Sequence, residues 1–254
     1  MQFIVSNNKV VLKQASGGIG DALLWSSCVK RWVKEFGYEV YIENAGWRSE
    51  DIPRLIWQTN PYVSGIQIGG TTHALGDTHD LRKLCMAHGN NVAGAEAYMG
   101  FGPTFNTLPE SYYQPVIIEA LKDKVLVDPV AYTQPFTDAV FRPFIQHLIS
   151  HELIKRENIL VLDTLYPANH ILSEFPRYPV GSDLFGCTNA IASCHTFVTV
   201  HSGLSAIASA LRQRNEHPRV LALMSQAVYN SKVFTWDNLE YFITGKLNED
   251  FQLL

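Results

Sequence analysis

Residues 13–24 read Lys13-Gln14-Ala15-Ser16-Gly17-Gly18-Ile19-Gly20-Asp21-Ala22-Leu23-Leu24, and this segment predicts a strand, a glycine turn and a helix. The apolar run Val10–Leu12 precedes it, and residues 22–36 carry apolar side chains at helical spacing, with Gly37 placed to end the helix. Glycines permit a close approach to the backbone, and the amides of a helix N-terminus can receive an anion. Asp21, where turn becomes helix, is either a helix-start carboxylate favoured by the helix dipole or a functional group at the mouth of a cleft.

This turn does not match the two commonest nucleotide-binding patterns. A dinucleotide fingerprint requires GxGxxG, and the third glycine is missing here; the GxxxxGK[ST] phosphate loop is absent too. Residues 38–42 read as a second strand after the helix. The segment therefore predicts a parallel βαβ unit, whose crossover is almost always right-handed.

The rest of the chain continues the alternation of strands and helices. Its patterns predict strands at 63–68, 124–128, 159–163, 197–200 and 219–224, and helices at 52–57, 91–99, 139–151, 183–193 and 205–212. Residues 69–80 are predicted to form a loop, and the tail from 229 onward is left unassigned. A proline-punctuated section, 103–115, is the linker candidate, so two α/β domains are expected at 1–115 and 116–254.

Composition narrows the class of protein. The chain has 254 residues, 46% hydrophobic and 17% charged, with a net charge of −4 and a pI near 6.1. These values suit a globular protein and predict no general attraction to nucleic acid. No N-terminal signal or membrane-length apolar run is visible. The four cysteines show no CxxC pair, which is typical of reduced thiols in a cytoplasmic protein.

A second stretch repeats the layout of the first. Residues 197–210 read Phe197-Val198-Thr199-Val200-His201-Ser202-Gly203-Leu204-Ser205-Ala206-Ile207-Ala208-Ser209-Ala210. They predict a strand, a small polar turn and a helix that packs closely through alanines. Residues 202–205 would place amides and hydroxyls at a helix N-terminus, which is a ready site for an anion.

Together the two stretches resemble glycosyltransferase family 9, the ADP-heptose:lipopolysaccharide heptosyltransferases. The segment Gly17-Gly18-Ile19-Gly20-Asp21-Ala22-Leu23-Leu24, followed by a helix and by Glu39-Val40-Tyr41-Ile42, is similar to the N-terminal signature of that family. Asn60-Pro61-Tyr62-Val63-Ser64-Gly65-Ile66 is similar to its next strand entry, and Thr199–Ala210 resembles its donor-binding motif. The similarities cover both halves in the family's order.

The resemblance implies a GT-B architecture, in which two Rossmann-like α/β domains face a cleft. The N-terminal half would bind the acceptor, with Asp21 as general base on its hydroxyl and with Gly18 and Gly20 lining the turn. The C-terminal half would bind a nucleotide-diphosphate sugar through His201, Ser202, Gly203, Leu204 and Ser205. The resemblance implies no metal and no cofactor besides the donor, because a helix N-terminus and basic side chains stabilise the leaving diphosphate.

The chain departs from the family at three places. The family's Asp in the donor motif is His201 here, and its His is Ala206. The lysine expected near the diphosphate is missing from residues 125–154, where Arg142 is the nearest basic candidate. The resemblance therefore leaves the donor sugar open.

Other chemistry-bearing residues favour plainer interpretations. His73, Asp77, His79, Asp80 and, further on, His88 have metal-ligand types but fit no known metal spacing, so a solvated loop is expected. Cys194 and His195 directly precede an apolar strand and are expected to be buried packing residues. Trp47 follows a strand. It is interpreted as a core residue, in preference to a residue that stacks on a sugar.

The sequence therefore predicts a small, metal-independent GT-B-like glycosyltransferase with a glycan or lipopolysaccharide-type acceptor. Two alternatives stay open. One is a phage-type transferase that acts on modified DNA bases. The other is a non-catalytic protein that binds nucleotides or nucleotide sugars on the same scaffold, which the changes at His201 and Ala206 motivate.

Overall fold

The computed structural model describes residues 5–6, 8–14, 18–43, 47–67, 73–75, 78–102, 107–130, 137–163, 171–180, 183–215, 217–232, 235–244 and 252–253. The chain divides into two compact units. The first combines Met1–Gln114 with Ser231–Asp237, and the second combines Pro115–Asn230 with Asn238–Leu254. Among the described residues, no helix is long and apolar enough to cross a membrane.

The first unit is built on a five-stranded sheet in the order β1-β2-β3-β4, with β5 also paired to β2. All its pairings are parallel except that of β1 with β2. Its elements are β1 (Val5–Ser6), β2 (Lys9–Gln14), α1 (Ile19–Phe36), β3 (Glu39–Glu43), β4 (Gly65–Gln67), β5 (His73–Leu75), α2 (Thr78–His88) and α3 (Asn91–Tyr98), with a helical turn at Pro53–Trp57.

Helix α1 follows from its sequence pattern. Its apolar positions bury one face, and Trp25 and Cys28 are 2% and 0% exposed. Gly37 ends it in the left-handed conformation at φ 68°, and its N–H and that of Tyr38 donate to carbonyls of the last turn. The predicted glycine cap and the predicted βαβ unit are thereby confirmed.

The second unit holds a seven-stranded sheet in the order β12-β11-β10-β9-β6-β7-β8, parallel except for the β11–β12 pair. Phe141 and Phe144 of α4 pack on Val127 and Val198 in the core beneath it. The elements are β6 (Val125–Asp128), α4 (Asp138–Ser150), β7 (Ile159–Asp163), β8 (Arg177–Pro179), α5 (Leu184–Ser193), β9 (Thr196–Val200), α6 (Gly203–Asn215), β10 (Arg219–Ser225), α7 (Gln226–Ser231), β11 (Glu240–Thr244) and β12 (Gln252–Leu253).

Both sheets contain a point where the strand order reverses. In the first, β3 and β4 lie on one side of β2 and β5 on the other. In the second, β7 and β8 lie on one side of β6, while β9 to β12 lie on the other. In open α/β sheets, ligands bind beyond the carboxyl ends of the strands at such points. The turns that follow β2, β6 and β9 are therefore the places to look for binding groups.

The sequence-based prediction was wrong for residues 69–80 and incomplete in the tail. The described part of the predicted loop contains β5 and the start of α2. Helix α2 is anchored by Leu81 and Cys85, which are 4% and 0% exposed; two buried positions in a polar helix give a weak periodic signal. Strands β8, β11 and β12 and helix α7 are short, and their assignment depends on pairing and packing partners that are remote in sequence.

The return of Ser231–Asp237 to the first unit was not anticipated. Trp236 is 1% exposed. Asp237 accepts a hydrogen bond from Asn90 Nδ2 at 3.0 Å, and Asn90 also caps α3 by accepting from the N–H groups of Val92 and Ala93. The late segment thus stabilises the start of α3.

Candidate functional site

The turn after β2 presents a carboxylate at the start of α1. Gly18 precedes the helix in an extended conformation (φ −82°, ψ 157°), and its carbonyl accepts the N–H of Ala22 at 3.1 Å. Asp21 is the acidic residue of the first turn and is half-buried; Gly20, the second helical residue, is half-buried as well. The carboxylate therefore lies at the positive end of the α1 dipole and at the sheet's reversal point.

Gly18 leaves space that the side chain of Asp21 occupies. A Cβ at residue 18 would lie 2.8 Å from Asp21 Oδ2, closer than real side-chain contacts allow. The same point lies 3.9 Å from Nη1 of Arg48, which is exposed. A carboxylate and an accessible guanidinium therefore converge over the glycine. Sequence reasoning missed Arg48, because no local spacing connects it to residue 21.

Two anchors hold the N-terminal half of α1. Asn60, 2% exposed, donates from Nδ2 to the carbonyl of Ser26 at 3.2 Å and to Ser26 Oγ at 2.8 Å. Ser27 Oγ donates to the carbonyl of Leu23 and accepts the N–H of Glu110. The segment that begins at Asn60 was noted for its similarity to a strand entry of family 9; in the structure, Asn60 fixes the helix that carries Asp21.

The turn after β9 closes on itself. His201 N–H donates to the carbonyl of Leu223 at 3.1 Å, which extends the pairing with β10 by one residue. Ser205 is 2% exposed; its Oγ donates to the carbonyl of Ser202 at 2.6 Å and accepts the N–H of Ser202 at 3.2 Å. Gly203 begins α6, and Leu204 is half-buried. The Ser202 amide, one of the predicted anion donors, is thus already bonded within the turn.

The Ser202 hydroxyl has a different status. Its Oγ is shielded from solvent and has no hydrogen-bond partner among the described residues. An unpaired buried hydroxyl costs roughly 1–3 kcal/mol. A ligand group bound at the turn would remove that cost.

Arg142 belongs to an ion-pair cluster on α4. Its Nε donates to Asp138 Oδ2 at 2.8 Å, and its Nη1 donates to Glu174. These two carboxylates raise the pKa of Arg142 above its usual range, with the Glu174 hydrogen bond as the larger cause. Asp138 also accepts the N–H of Leu172 at 2.9 Å. The charge of Arg142 is already compensated, so diphosphate binding would require this residue to exchange partners.

A further acid, Asp128, ends strand β6. It is 2% exposed and lies opposite Thr199 in the parallel register of β6 and β9. Its Oδ1 accepts the N–H of Val130 at 3.3 Å, and burial raises its pKa to about 7. In the sequence, Asp128 is recognisable only as an acid at the end of the strand predicted at 124–128. The strand order of the sheet is needed to show that β6 and β9 flank the reversal point.

The remaining candidates are packing residues, exposed residues and undescribed ones. His195 is exposed, so its prediction as a buried packing residue was wrong. Cys194 is buried, its Sγ donates to the carbonyl of Ile191, and burial raises its pKa to about 12, as expected of a packing thiol. Trp47 is half-buried beside Arg48. Asp77 and the side chains of His73, His79 and Asp80 lie outside the described residues.

No protein-family model and no curated protein matches the sequence. Solved structures do match. The iron-containing dodecameric glycosyltransferase TibC from enterotoxigenic E. coli H10407 superposes with a TM-score of 0.61 at 19% identity, over 84% of this chain and 57% of TibC. A glycosyl transferase family 9 protein from Veillonella parvula DSM 2008 gives 0.59 at 11% identity, over 94% and 86%. ADP-heptose lps heptosyltransferase II of E. coli gives 0.51 at 13% identity, over 85% and 84%.

TibC is described as iron-containing, which raises the question whether the residues of the present chain could hold a metal ion. Within the described ranges, no group of three or more His, Cys, Asp or Glu side chains could hold a metal ion. The four cysteines are buried and unbridged. The described residues thus do not fit an iron site.

The matches agree with the parallel α/β topology. The chain spans 57% of the length of TibC. It has the two-unit α/β fold of the heptosyltransferases and of glycosyltransferase family 9.

Proposed function

We propose that this protein is a glycosyltransferase that moves a sugar from a nucleoside-diphosphate donor to an acceptor hydroxyl, with Asp21 as the general base. The observation that carries the proposal is the carboxylate of Asp21 at the reversal point of the first sheet, seated over Gly18 on a fold shared with heptosyltransferases. A plain helix cap would need neither a glycine cleared for the carboxylate nor a nearby arginine.

The chemistry assigned to Asp21 is proton removal. As the acceptor oxygen attacks the anomeric carbon, its O–H bond breaks and the proton passes to the carboxylate, while the bond from that carbon to the diphosphate breaks. The hydrogen bonds that Asn60 Nδ2 and the N–H of Glu110 donate to Ser26 and Ser27 of α1 favour a fixed position for the base. Arg48, whose Nη1 approaches the same point above Gly18, is assigned to orient the carboxylate or to hold an anionic group of the acceptor.

The donor is assigned to the second unit. The leaving diphosphate gains negative charge, and the free amides at the start of α6 carry the equivalent of about half a positive charge. The Ser202 hydroxyl supplies a further donor. This arrangement needs no metal ion, so metal independence is part of the proposal.

ADP-heptose is the first donor to test, because a TibC structure contains ADP-D-beta-D-heptose and a structure of the E. coli heptosyltransferase WaaC contains ADP. His201 and Ala206 replace family residues of the donor motif, so UDP-, GDP- and CDP-sugars belong in the same screen. A lipopolysaccharide-type glycan is the proposed acceptor and the cytoplasm the proposed location. Modified DNA is the alternative acceptor.

The test combines binding with turnover. Thermal shift against the four nucleoside diphosphates and their sugars identifies the donor, and sugar release or transfer is then measured with EDTA present. Asp21→Asn should bind the donor as the wild type does but lose turnover; Glu50→Gln, an exposed acid of the same unit, is the control. Wild-type turnover by Asp21→Asn would contradict the assignment of the base. Stabilisation by a nucleotide without any product would favour the non-catalytic binder.

A further inference from the structure

We propose that Asp128 is a donor-binding residue, whose carboxylate accepts a hydrogen bond from a hydroxyl of the nucleotide sugar, on its ribose or on its transferred sugar. The inference rests on the proposed function. Nothing in the sequence motifs or in the resemblance to family 9 assigned a role to this residue.

The position of Asp128 is the first argument. It is the last residue of β6, the strand at which the order of the second sheet reverses. The register pairs it with Thr199 of β9, and that strand ends one residue later, directly before His201 and Ser202 of the candidate donor turn. Adjacent strands lie about 4.8 Å apart, so the acid and the turn belong to the same edge of the sheet.

The second argument is that the fold makes little use of the charge. Among the described residues, the side chain has one hydrogen bond: its Oδ1 accepts the N–H of Val130, two residues along, which is a local turn contact. An asparagine would make the same contact without a charge to desolvate. Among the described residues, no lysine or arginine forms an ion pair with Asp128. A carboxylate that is 2% exposed, with no cation paired to it among the described residues, lowers the stability of the fold. We therefore infer that it has a role other than stability.

Ser202 supplies an independent observation at the same edge. Its hydroxyl is shielded from solvent and has no partner among the described residues. At the ends of two neighbouring strands there are thus polar groups whose hydrogen-bonding capacity the described residues leave partly unfilled. Such groups at a reversal point are typical of a ligand site.

The chemistry of the two groups selects the ligand class. A carboxylate repels a diphosphate but accepts strongly from hydroxyl groups, whereas the Ser202 hydroxyl and the helix amides donate to phosphate oxygens. A molecule that joins hydroxyls to a diphosphate, as a nucleoside-diphosphate sugar does, matches both. The ribose and the transferred sugar both offer such hydroxyls, and the experiment separates them.

The experiment measures dissociation constants of ADP, 2′-deoxy-ADP, 3′-deoxy-ADP and ADP-heptose by calorimetry, for the full chain and for Asp128→Asn. If the thermal shift screen selects another nucleoside, its diphosphate, deoxy forms and sugar are used. Asp123→Asn, an exposed acid just before β6, is the control. A hydrogen bond to a charged group corresponds to roughly a 10- to 100-fold change in affinity.

For a ribose contact, Asp128→Asn should weaken ADP binding by about tenfold or more. One of the two deoxy analogues should bind the wild type as weakly as ADP binds the variant. The substitution should not weaken the binding of that analogue further. That non-additive pattern would not arise from a purely structural role, and the wild-type arm does not depend on the variant folding. For a sugar contact, ADP affinity stays unchanged and the loss appears only with ADP-heptose. Unchanged affinities for both ligands would overturn the inference alone. A wild type that binds no nucleoside diphosphate or nucleotide sugar would overturn the proposed function and the inference with it.

Discussion

The turns after β2 and β9 share a topology but differ in chemistry. Each joins a parallel strand to a helix at the reversal point of its sheet. The first keeps a glycine clear so that the carboxylate of Asp21 can occupy the space above it. The second closes through the side chain of Ser205 and lies beside an acid, Asp128, carried by the neighbouring strand. The same strand–turn–helix topology therefore has its acid, Asp21, at the start of the helix in the first unit. In the second unit the acid, Asp128, lies on the neighbouring strand.

Under the proposed function, turn topology marks where a ligand would bind, whereas the side chains decide which part of the ligand each turn would hold. An acid within the turn is suited to take a proton from a reacting hydroxyl. An acid on the next strand is suited to hold a hydroxyl that does not react. Four substitutions test this division, from the largest expected effect to the smallest.

The largest effect is expected from Asp21→Asn. Removing a general base typically lowers the rate by about 10²–10⁴-fold. Donor affinity and melting temperature should change little, because the amide keeps the shape of the side chain. Steady-state kinetics and calorimetry check the prediction. A fall in donor affinity comparable to the fall in kcat would remove the distinction between the two turns.

The next effect concerns stability and pH at Asp128. Its pKa is about 7 in the folded protein because of burial, against the ordinary value of 3.8. Between these values the folded chain holds a proton that the unfolded chain has released, so the free energy of unfolding decreases as pH rises from 4 to 7 and then levels off. Asp128→Asn removes this decrease. The free energy of unfolding of the variant should therefore exceed that of the wild type by near zero at pH 4, and by at most about 4 kcal/mol at pH 8.

Denaturant unfolding of both proteins across this pH range measures the difference, with Asp123→Asn as the control. A parallel pH dependence in wild type and variant would show that Asp128 is already ionised below neutral pH. The expected result makes Asp128 a residue that lowers stability and is kept for binding. That combination would sharpen the contrast with Asp21, which lies half-buried at a helix start.

Gly18→Ala should act on the first turn alone. The new methyl would overlap Asp21 Oδ2, the end of a flexible side chain, so the carboxylate should move while the fold persists. We expect turnover to fall by about tenfold, since misplacing a reacting group lowers the rate far more than it lowers binding. Gly102→Ala is the matched control, because a Cβ there meets no atom within 4 Å. Equal activity of the two variants would contradict the geometry assigned to Asp21.

The smallest effect is expected from Ser205→Ala in the second turn. It removes the hydroxyl that bonds both the carbonyl and the N–H of Ser202, at a cost of about 1 kcal/mol. Donor affinity should fall a few-fold with kcat nearly unchanged, as measured by calorimetry and kinetics. Ser150→Ala, at an exposed position of α4, is the control. A large loss of kcat would place the second turn in the chemical step.

Local patterns predicted the backbone frame of both turns. The strand–turn–helix layouts around Asp21 and Ser202 and the Gly37 cap depend on residues close together in sequence, and the structure has each of them. Arg48, Asn60 and Asp128 lie near residues that are 27, 34 and 71 positions away, namely Asp21, Ser26 and Thr199. Their roles depend on strand order and packing, which hydrophobic periodicity does not encode. The role of Arg142 was inferred from its charge, and its two carboxylate partners became visible only in the fold.

The return of Ser231–Asp237 to the first unit also sets the timing of folding during synthesis. Asn90, which caps α3, donates to Asp237 across 147 positions of sequence, and Trp236 is almost fully buried. A ribosome adds roughly 5–20 residues per second, so the first unit waits on the order of ten seconds for its last segment. During that interval the second unit is emerging from the ribosome. The N-terminal half of this chain is thus made first but completed among the last.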